Sequence, residues 1–273
     1  MVNIAVLVSG GGTNLQALID AERRGEIPNG KITAVISSNP DAYALERAHQ
    51  SGITGITIAR KNFGSAREMT VALVDTLREL DIGLVVMAGF MVIITNELVE
   101  AYPNAILNIH PSLIPSFCGK GCYGLHVHEK ALEYGVKVSG ATVHIVSEEC
   151  DAGPIVLQKA VEVLDDDTPE TLQRRIMEQA EWVILPQAVR LFCDGRLKVE
   201  GRKVSIVNEY RSSLVRLVSG SFSIILWPDK SPPPTNRRRA FVIIHPDGFA
   251  SIPAPAGAAF AGLSDAALPA SCP

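Results

Sequence analysis

No apolar run in this chain approaches the roughly 20 residues that a bilayer-spanning helix needs. The N-terminus also lacks the basic region and small-residue cleavage site of a secretory signal. Met1 to Ser9 is instead a short apolar run entering a glycine-rich loop, which reads as a first strand. No C-x-x-C pair occurs among the five cysteines, Cys118, Cys122, Cys150, Cys193 and Cys272. Cys118 and Cys122 supply half a metal site at most, so free thiols in a cytoplasmic protein are expected, with no metal. Excess positive charge is missing as well: the net charge is -4 and the pI near 5.9. No pull toward nucleic acid or an anionic membrane follows, so neither is expected as a partner.

What is present is the composition of an ordinary globular protein, 47% hydrophobic and 20% charged over 273 residues, enough to bury a sizeable core. Asn3 to Val8 is β-branched and apolar, and Ser9-Gly10-Gly11-Gly12-Thr13-Asn14 leads into a helical pattern from Leu15 to Arg24. Glycines let backbone amides approach a ligand, and the helix N-terminus beyond them favours a phosphate. The dinucleotide fingerprint fails because Leu15 stands where a third glycine belongs, and a P-loop fails for want of Gly-Lys-Ser/Thr. The loop therefore reads as a cradle for a phosphomonoester or as a plain strand-helix turn.

Strands are expected at Lys31 to Ser37, Gly55 to Ile58 and Gly83 to Met87, with helices at Ala42 to Gln50 and Ser65 to Leu80. This alternation implies a mostly parallel, doubly wound α/β sheet. Right-handed crossovers then put the glycine loop on the same sheet edge as the end of the next strand, Ala105 to His110. There Asn108 and His110, two residues apart, point to one side, and Pro111 stops the strand. Open α/β sheets bind ligands at such carboxyl ends. Ala88 to Ile94 forms an apolar turn at that edge, readable as core or as a pocket wall.

Ser116 to Gly124 holds three glycines in nine residues, a flexible loop suited to covering a ligand. His126 to Tyr134 reads as a helix. Ser139 to Val146 alternates, with Thr142 and His144 on one face, and hairpins with Ile155 to Val163 through the turn Asp151-Ala152-Gly153-Pro154. Thr168 to Cys193 reads as one long amphipathic helix, capped by Thr168 with Pro169 at its first position and Glu170 in its first turn. Lys198 to Val207 is a closing hairpin. The texture changes from about Ser212. Nine of the 17 prolines follow Arg211, and no Glu does. Two domains are expected on this basis, 1–207 and an atypical 208–273. The second reads as disordered or poorly packed, with Phe222 to Trp227 and Phe241 to Ile244 as possible edge strands.

Ser9 to Leu15, Ala88-Gly89-Phe90-Met91, Asn108-Ile109-His110-Pro111-Ser112-Leu113-Ile114-Pro115 and Asp151-Ala152-Gly153-Pro154, in this order, closely resemble the phosphoribosylglycinamide formyltransferase family from about Val2 to Val207. The resemblance implies a Rossmann-like doubly wound sheet with an antiparallel C-terminal portion. It also implies formyl transfer from 10-formyltetrahydrofolate to the amine of glycinamide ribonucleotide, a step of purine (IMP) synthesis, by a monomer or homodimer without a metal. Carried over by position, Asn108, His110 and Asp151 are catalytic. Asn108 and a protonated His110 would donate to the developing oxyanion, while Asp151 would orient His110 and favour its cation. Gly12, Thr13, Asn14 and Glu181 match the ribonucleotide contacts. Arg67, Phe90, Met91, Val92, Ile93, Ile94 and Asn108 match the folate side, with backbone from Val146 to Asp151. Two positions depart from the family pattern: Val92 stands where an Arg is usual, and Trp182 where a His commonly follows the carboxylate. The 208–273 segment has no counterpart there and reads as an unselected extension.

Other readings separate on sequence. A methionyl-tRNA formyltransferase would need a different sequence after Pro115 and a folded RNA-binding domain. A formyltetrahydrofolate hydrolase would lack the Gly-Gly-Thr-Asn cradle. A non-catalytic nucleotide- or folate-binding module would not need Asn108, His110 and Asp151 together.

Overall fold

The computed structural model describes residues 1–207 and, beyond them, two short strands, Ile243–Ile244 and Ala250–Ser251, which pair antiparallel. Met1–Val207 is one compact unit. The expectations for the rest of 208–273, including a strand at Phe222 to Trp227, lie outside the described residues.

Five strands, β1 (Val2–Val8), β2 (Gly30–Ser37), β3 (Thr54–Thr57), β4 (Leu84–Met87) and β5 (Ile106–His110), run parallel in the order β3-β2-β1-β4-β5. Beside β5 the direction reverses: β6 (Val138–Ile145) is antiparallel to it, and β7 (Ile155–Glu162) is antiparallel to β6. The hairpin β8 (Leu197–Glu200) and β9 (Lys203–Ile206) closes the sheet in the order β7-β9-β8.

Helices α1 (Thr13–Arg23), α2 (Tyr43–Gln50), α3 (Ala66–Glu79) and α4 (Asn96–Ala101) follow β1 to β4. The central strand shows why both faces must be covered. Ile4, Val6 and Val8 pack into one core with α1 and α2, while Ala5 and Leu7 pack into a second core with α3. A strand buried on both sides must be apolar throughout. Each core side chain carries substantial stability: truncating fully buried Leu73 of α3 to Ala would cost about 2–5 kcal/mol.

Helix α5 (His126–Tyr134) follows the glycine-rich loop. The long helix expected from Thr168 is composite. Its start is as expected, with Thr168 capping Thr171 N–H and Pro169 leading α6 (Pro169–Ile176). A π-helical turn at Met177–Glu181 then precedes α7 (Trp182–Cys193), which contains Pro186. A proline inside a helix removes a backbone donor and crowds the preceding turn. The widened turn lies just ahead of that defect, a placement often found near functional sites. Glu181 ends the turn buried, not on a solvent face.

Candidate active site

The glycine loop between β1 and α1 is shaped by α2. Gly12 has φ 71°, and a Cβ there would lie 2.7 Å from Ala44 Cβ, so both backbone angle and space demand glycine. Ala44 N–H donates to the Gly10 carbonyl at 3.1 Å, and Arg47 Nε donates to the Gly11 carbonyl at 2.8 Å. Helix α1 begins at Thr13 without a side-chain cap, which leaves its first amides suited to an anion. A cavity of about 340 Å³ opens over the loop. Its walls are residues 9–14, then Ala88, Gly89 and Met91 after β4, then Gln173, Met177 and Glu181. Met91 N–H donates to Ser9 Oγ at 2.8 Å, tying the second wall to the first.

Across this cavity Asn14 Nδ2 donates to Glu181 Oε2 at 2.9 Å, while Asn14 Oδ1 is buried with no protein partner. Burial pushes the Glu181 carboxyl up to about 7 against the opposing effect of Asn14. A buried acid beside an unsatisfied amide oxygen is a polar pair that a bound polar group can complete.

The catalytic candidates assemble through sheet register. In the antiparallel β5–β6 pair Asn108 lies opposite His144, and His110 opposite Thr142. Directly opposed residues share a face, so these four side chains form one polar patch at the end of β5. His144 Nδ1–H donates to the Ile145 carbonyl at 3.1 Å, which leaves Nε2 to accept from Asn108 Nδ2 at 3.1 Å. The turn after β6 brings Asp151 over the patch. Its Oδ2 is 3.7 Å from His110 Nδ1, and its Oδ1 is 3.6 Å from His144 Nε2. All three expected catalytic residues therefore meet.

The glycine-rich loop covers them. His110 Nε2–H donates to the Phe117 carbonyl at 2.9 Å, and Gly119 N–H donates to Asp151 Oδ2 at 2.8 Å. Phe117 (φ 50°) and Asp151 (φ 54°) both hold left-handed backbone, a strain on the order of 1–3 kcal/mol each for residues with side chains. The loop's root is clamped in turn. Thr142 Oγ1 donates to the Ser112 carbonyl at 2.7 Å, and Gln158 Nε2 donates to the Ile114 carbonyl at 3.0 Å.

Charge at the site departs from one expectation. Burial lowers the His110 pKa below its usual 6.5, outweighing the Phe117 carbonyl and the Asp151 charge that raise it. The ring is thus not held as a standing cation. Burial would raise the Asp151 carboxyl, but His144, His110 and the Gly119 amide together hold it at about 2, so this partner is ionised at neutral pH.

The folate-side candidates differ in exposure. Met91 lines the cavity and Ile93 is exposed, whereas Phe90, Val92 and Ile94 pack half-buried against the second core. Alternation along this segment splits the apolar run between the core and pocket-wall readings. Arg67, 75% exposed at the start of α3, is paired with Glu97. The Trp182 indole N–H is buried without a protein partner. Among the described residues no cluster of three or more His, Cys, Asp or Glu could hold a metal ion, and no helix is long and apolar enough to cross a membrane. His144, Gln158 and the Phe117 carbonyl lie outside every motif of the sequence. The one available signal was the shared face of Thr142 and His144.

The chain is 44% identical over 200 residues to the phosphoribosylglycinamide formyltransferase of Haemophilus influenzae, covering 73% of this chain and 91% of that protein. It is 41% identical over 198 residues to the phosphoribosylglycinamide formyltransferase of Escherichia coli, covering 72% and 90%. The crystal structure of glycinamide ribonucleotide transformylase 1 from Symbiobacterium toebii superposes with a TM-score of 0.72 at 47% identity, over 76% of this chain and 95% of that one. The formyl transferase profile matches residues 2–189, which takes in the glycine cradle, the β5 patch, Asp151 and Glu181, and the chain belongs to the formyl transferase family.

Proposed function

We propose that this protein transfers the formyl group of 10-formyltetrahydrofolate to the amine of N1-(5-phospho-D-ribosyl)glycinamide, giving the N2-formyl product and tetrahydrofolate in purine synthesis. The observation that carries the reading is the meeting of Asn108, His110 and Asp151 at the end of β5, on the same sheet edge as the uncapped α1 cradle. The cradle takes the phosphate end, with Gly12, Thr13 and Asn14 around it. Glu181 faces the glycinamide end, and Met91 begins the apolar wall on the folate side.

In this reading the substrate amine attacks the formyl carbon, and the carbonyl oxygen becomes an oxyanion. The second hydrogen of Asn108 Nδ2 donates to it. His110 gives its Nε2 proton to the Phe117 carbonyl, so a donor at Nδ1 exists only on the cationic ring. Asp151, 3.7 Å from Nδ1, favours that proton, and the developing oxyanion adds further negative charge to draw it on. Asp151 also serves the amine's proton, through water, on its way to the departing folate nitrogen. Each well-placed oxyanion donor lowers the barrier by about 2.7–4 kcal/mol. Neither a covalent intermediate nor a metal enters.

Every group used comes from one chain, so a monomer and a homodimer serve equally. A cytoplasmic setting suits the free thiols of Cys118, Cys122, Cys150 and Cys193. The deciding assay mixes purified protein with glycinamide ribonucleotide and 10-formyltetrahydrofolate and follows deformylated folate. Turnover that requires the amine is expected. Absence of turnover from folded protein, or turnover without the amine, would overturn the assignment.

A further inference from the structure

The cavity over the glycine loop has no lysine or arginine in its walls, and one of its walls carries the buried carboxyl of Glu181. A phosphate ester brings about -1.5 to -2 charge at neutral pH. Uncapped amides meet part of that demand, but a positive charge close behind them would meet more.

Arg47 of α2 stands in that place. Its Nε donates to the Gly11 carbonyl at 2.8 Å, and a terminal nitrogen donates to Gln16 Oε1 of α1 at 2.9 Å. The guanidinium carbon lies 5.0 Å from the centre of the Tyr43 ring. These contacts are a carbonyl, a side-chain amide and an aromatic ring, and none is a carboxylate. The charge is therefore not cancelled at close range, and three contacts hold the long side chain in one position. Ala44 N–H binds the neighbouring Gly10 carbonyl at 3.1 Å, so α2 takes both loop carbonyls from behind. Carbonyls held behind the loop leave its amides for the cavity.

We propose that Arg47 is a positioning residue of the phosphate cradle. It fixes the Gly11 carbonyl away from the substrate and sets a positive charge behind the loop amides, and so selects a phosphorylated amine over its phosphate-free counterpart. The assignment of the cradle to the phosphate end rests on the function proposed above; the placement of Arg47 does not.

The test compares the full chain with R47M and R47K in three measurements. These are steady-state kinetics with glycinamide ribonucleotide, the same kinetics with the phosphate-free riboside, and binding of inorganic phosphate followed by phosphorus NMR line broadening. For R47M, the ribonucleotide KM and the phosphate Kd should each rise about 10-fold, with kcat within about twofold and kcat/KM for the riboside unchanged. R47K keeps the charge but loses the Nε contact, and should fall between wild type and R47M. A merely structural role would weaken riboside and ribonucleotide alike. That result, an unchanged ribonucleotide KM, or a kcat loss at constant KM would overturn the proposal. Should R47M melt early, R47K and the riboside comparison decide it in the same way. Arg47-dependent phosphate binding by a wild type that transfers no formyl group would sink the proposed function and leave Arg47 standing.

Discussion

Asn14 and Glu181 lie 167 residues apart in the chain and meet at 2.9 Å across the cavity. The contact joins the first turn of α1 to the π-helical turn before α7, so the two ends of the fold are fixed to each other where the ribonucleotide is proposed to sit.

Glu181 should make the protein less stable as pH rises from 4.5 to 7. Burial raises its carboxyl from 4.5 to about 7, so the folded state binds the proton more tightly than the unfolded one. Between those values the folded chain carries more protons. The contribution is fully present below 4.5 and is lost as pH climbs through 7, a change on the order of 3 kcal/mol. E181Q cannot titrate, and the difference between urea unfolding free energies at pH 5 and pH 7.5 should change by that amount relative to wild type. An identical pH dependence in the two proteins would show that Glu181 is not held neutral. In kinetics, E181Q should raise the ribonucleotide KM several-fold more than it lowers kcat.

Asp151 should govern the proton on His110. Removing its charge takes away an attraction that raises the imidazole pKa and leaves the lowering effect of burial in place. In D151N the His110 ring, followed by proton NMR, should titrate at lower pH than in wild type. Turnover should fall by about 10²- to 10⁴-fold with ribonucleotide binding retained. A ring titration unmoved by D151N would separate the two residues.

Some of this site could be read locally and some could not. The glycine cradle, the Asn108–His110 pair and the Asp151 turn announce themselves through residues adjacent in sequence. Thr168 and Pro169 likewise mark the start of α6. His144 acquires its part only when β6 lies antiparallel to β5 in the register that sets it opposite Asn108, a pairing between segments 36 residues apart. The π turn leaves the helical pattern nearly intact, so one helix was expected where two are joined. The charge on His110 depends on how completely the loop at Phe117 buries it. That is a tertiary property, and the attraction of a nearby Asp suggested the opposite result.

Asn108 should act mainly in the transition state. One hydrogen of its amide is committed to His144 Nε2, and the other is available to an oxyanion. N108A removes both, and kcat should fall by about 10²- to 10³-fold, matching a lost donor of about 2.7–4 kcal/mol, while KM for the ribonucleotide stays within a few-fold. Rapid-quench single-turnover measurements would check that the chemical step is slowed. A mutant that lost affinity but kept the rate of that step would make Asn108 a binding residue.

A chain cut after Val207 should keep both activity and folding. Every residue of the proposed mechanism, and both cores that support them, belong to Met1–Val207. Just before the cut, Val207 N–H donates to the Arg196 carbonyl at 2.8 Å, and the Arg196 side chain donates through Nε to the Val207 carbonyl at 2.9 Å. Because β8 and β9 are already paired within this unit, no sheet hydrogen bond among the described residues 1–207 is severed. The truncated protein should match the full chain in kcat/KM within about twofold, and its thermal midpoint should move by less than the roughly 2–4 °C that 1 kcal/mol represents for a domain of this size. A larger loss in either would show that 208–273 contributes to the enzyme and would end the reading of that segment as an unselected extension.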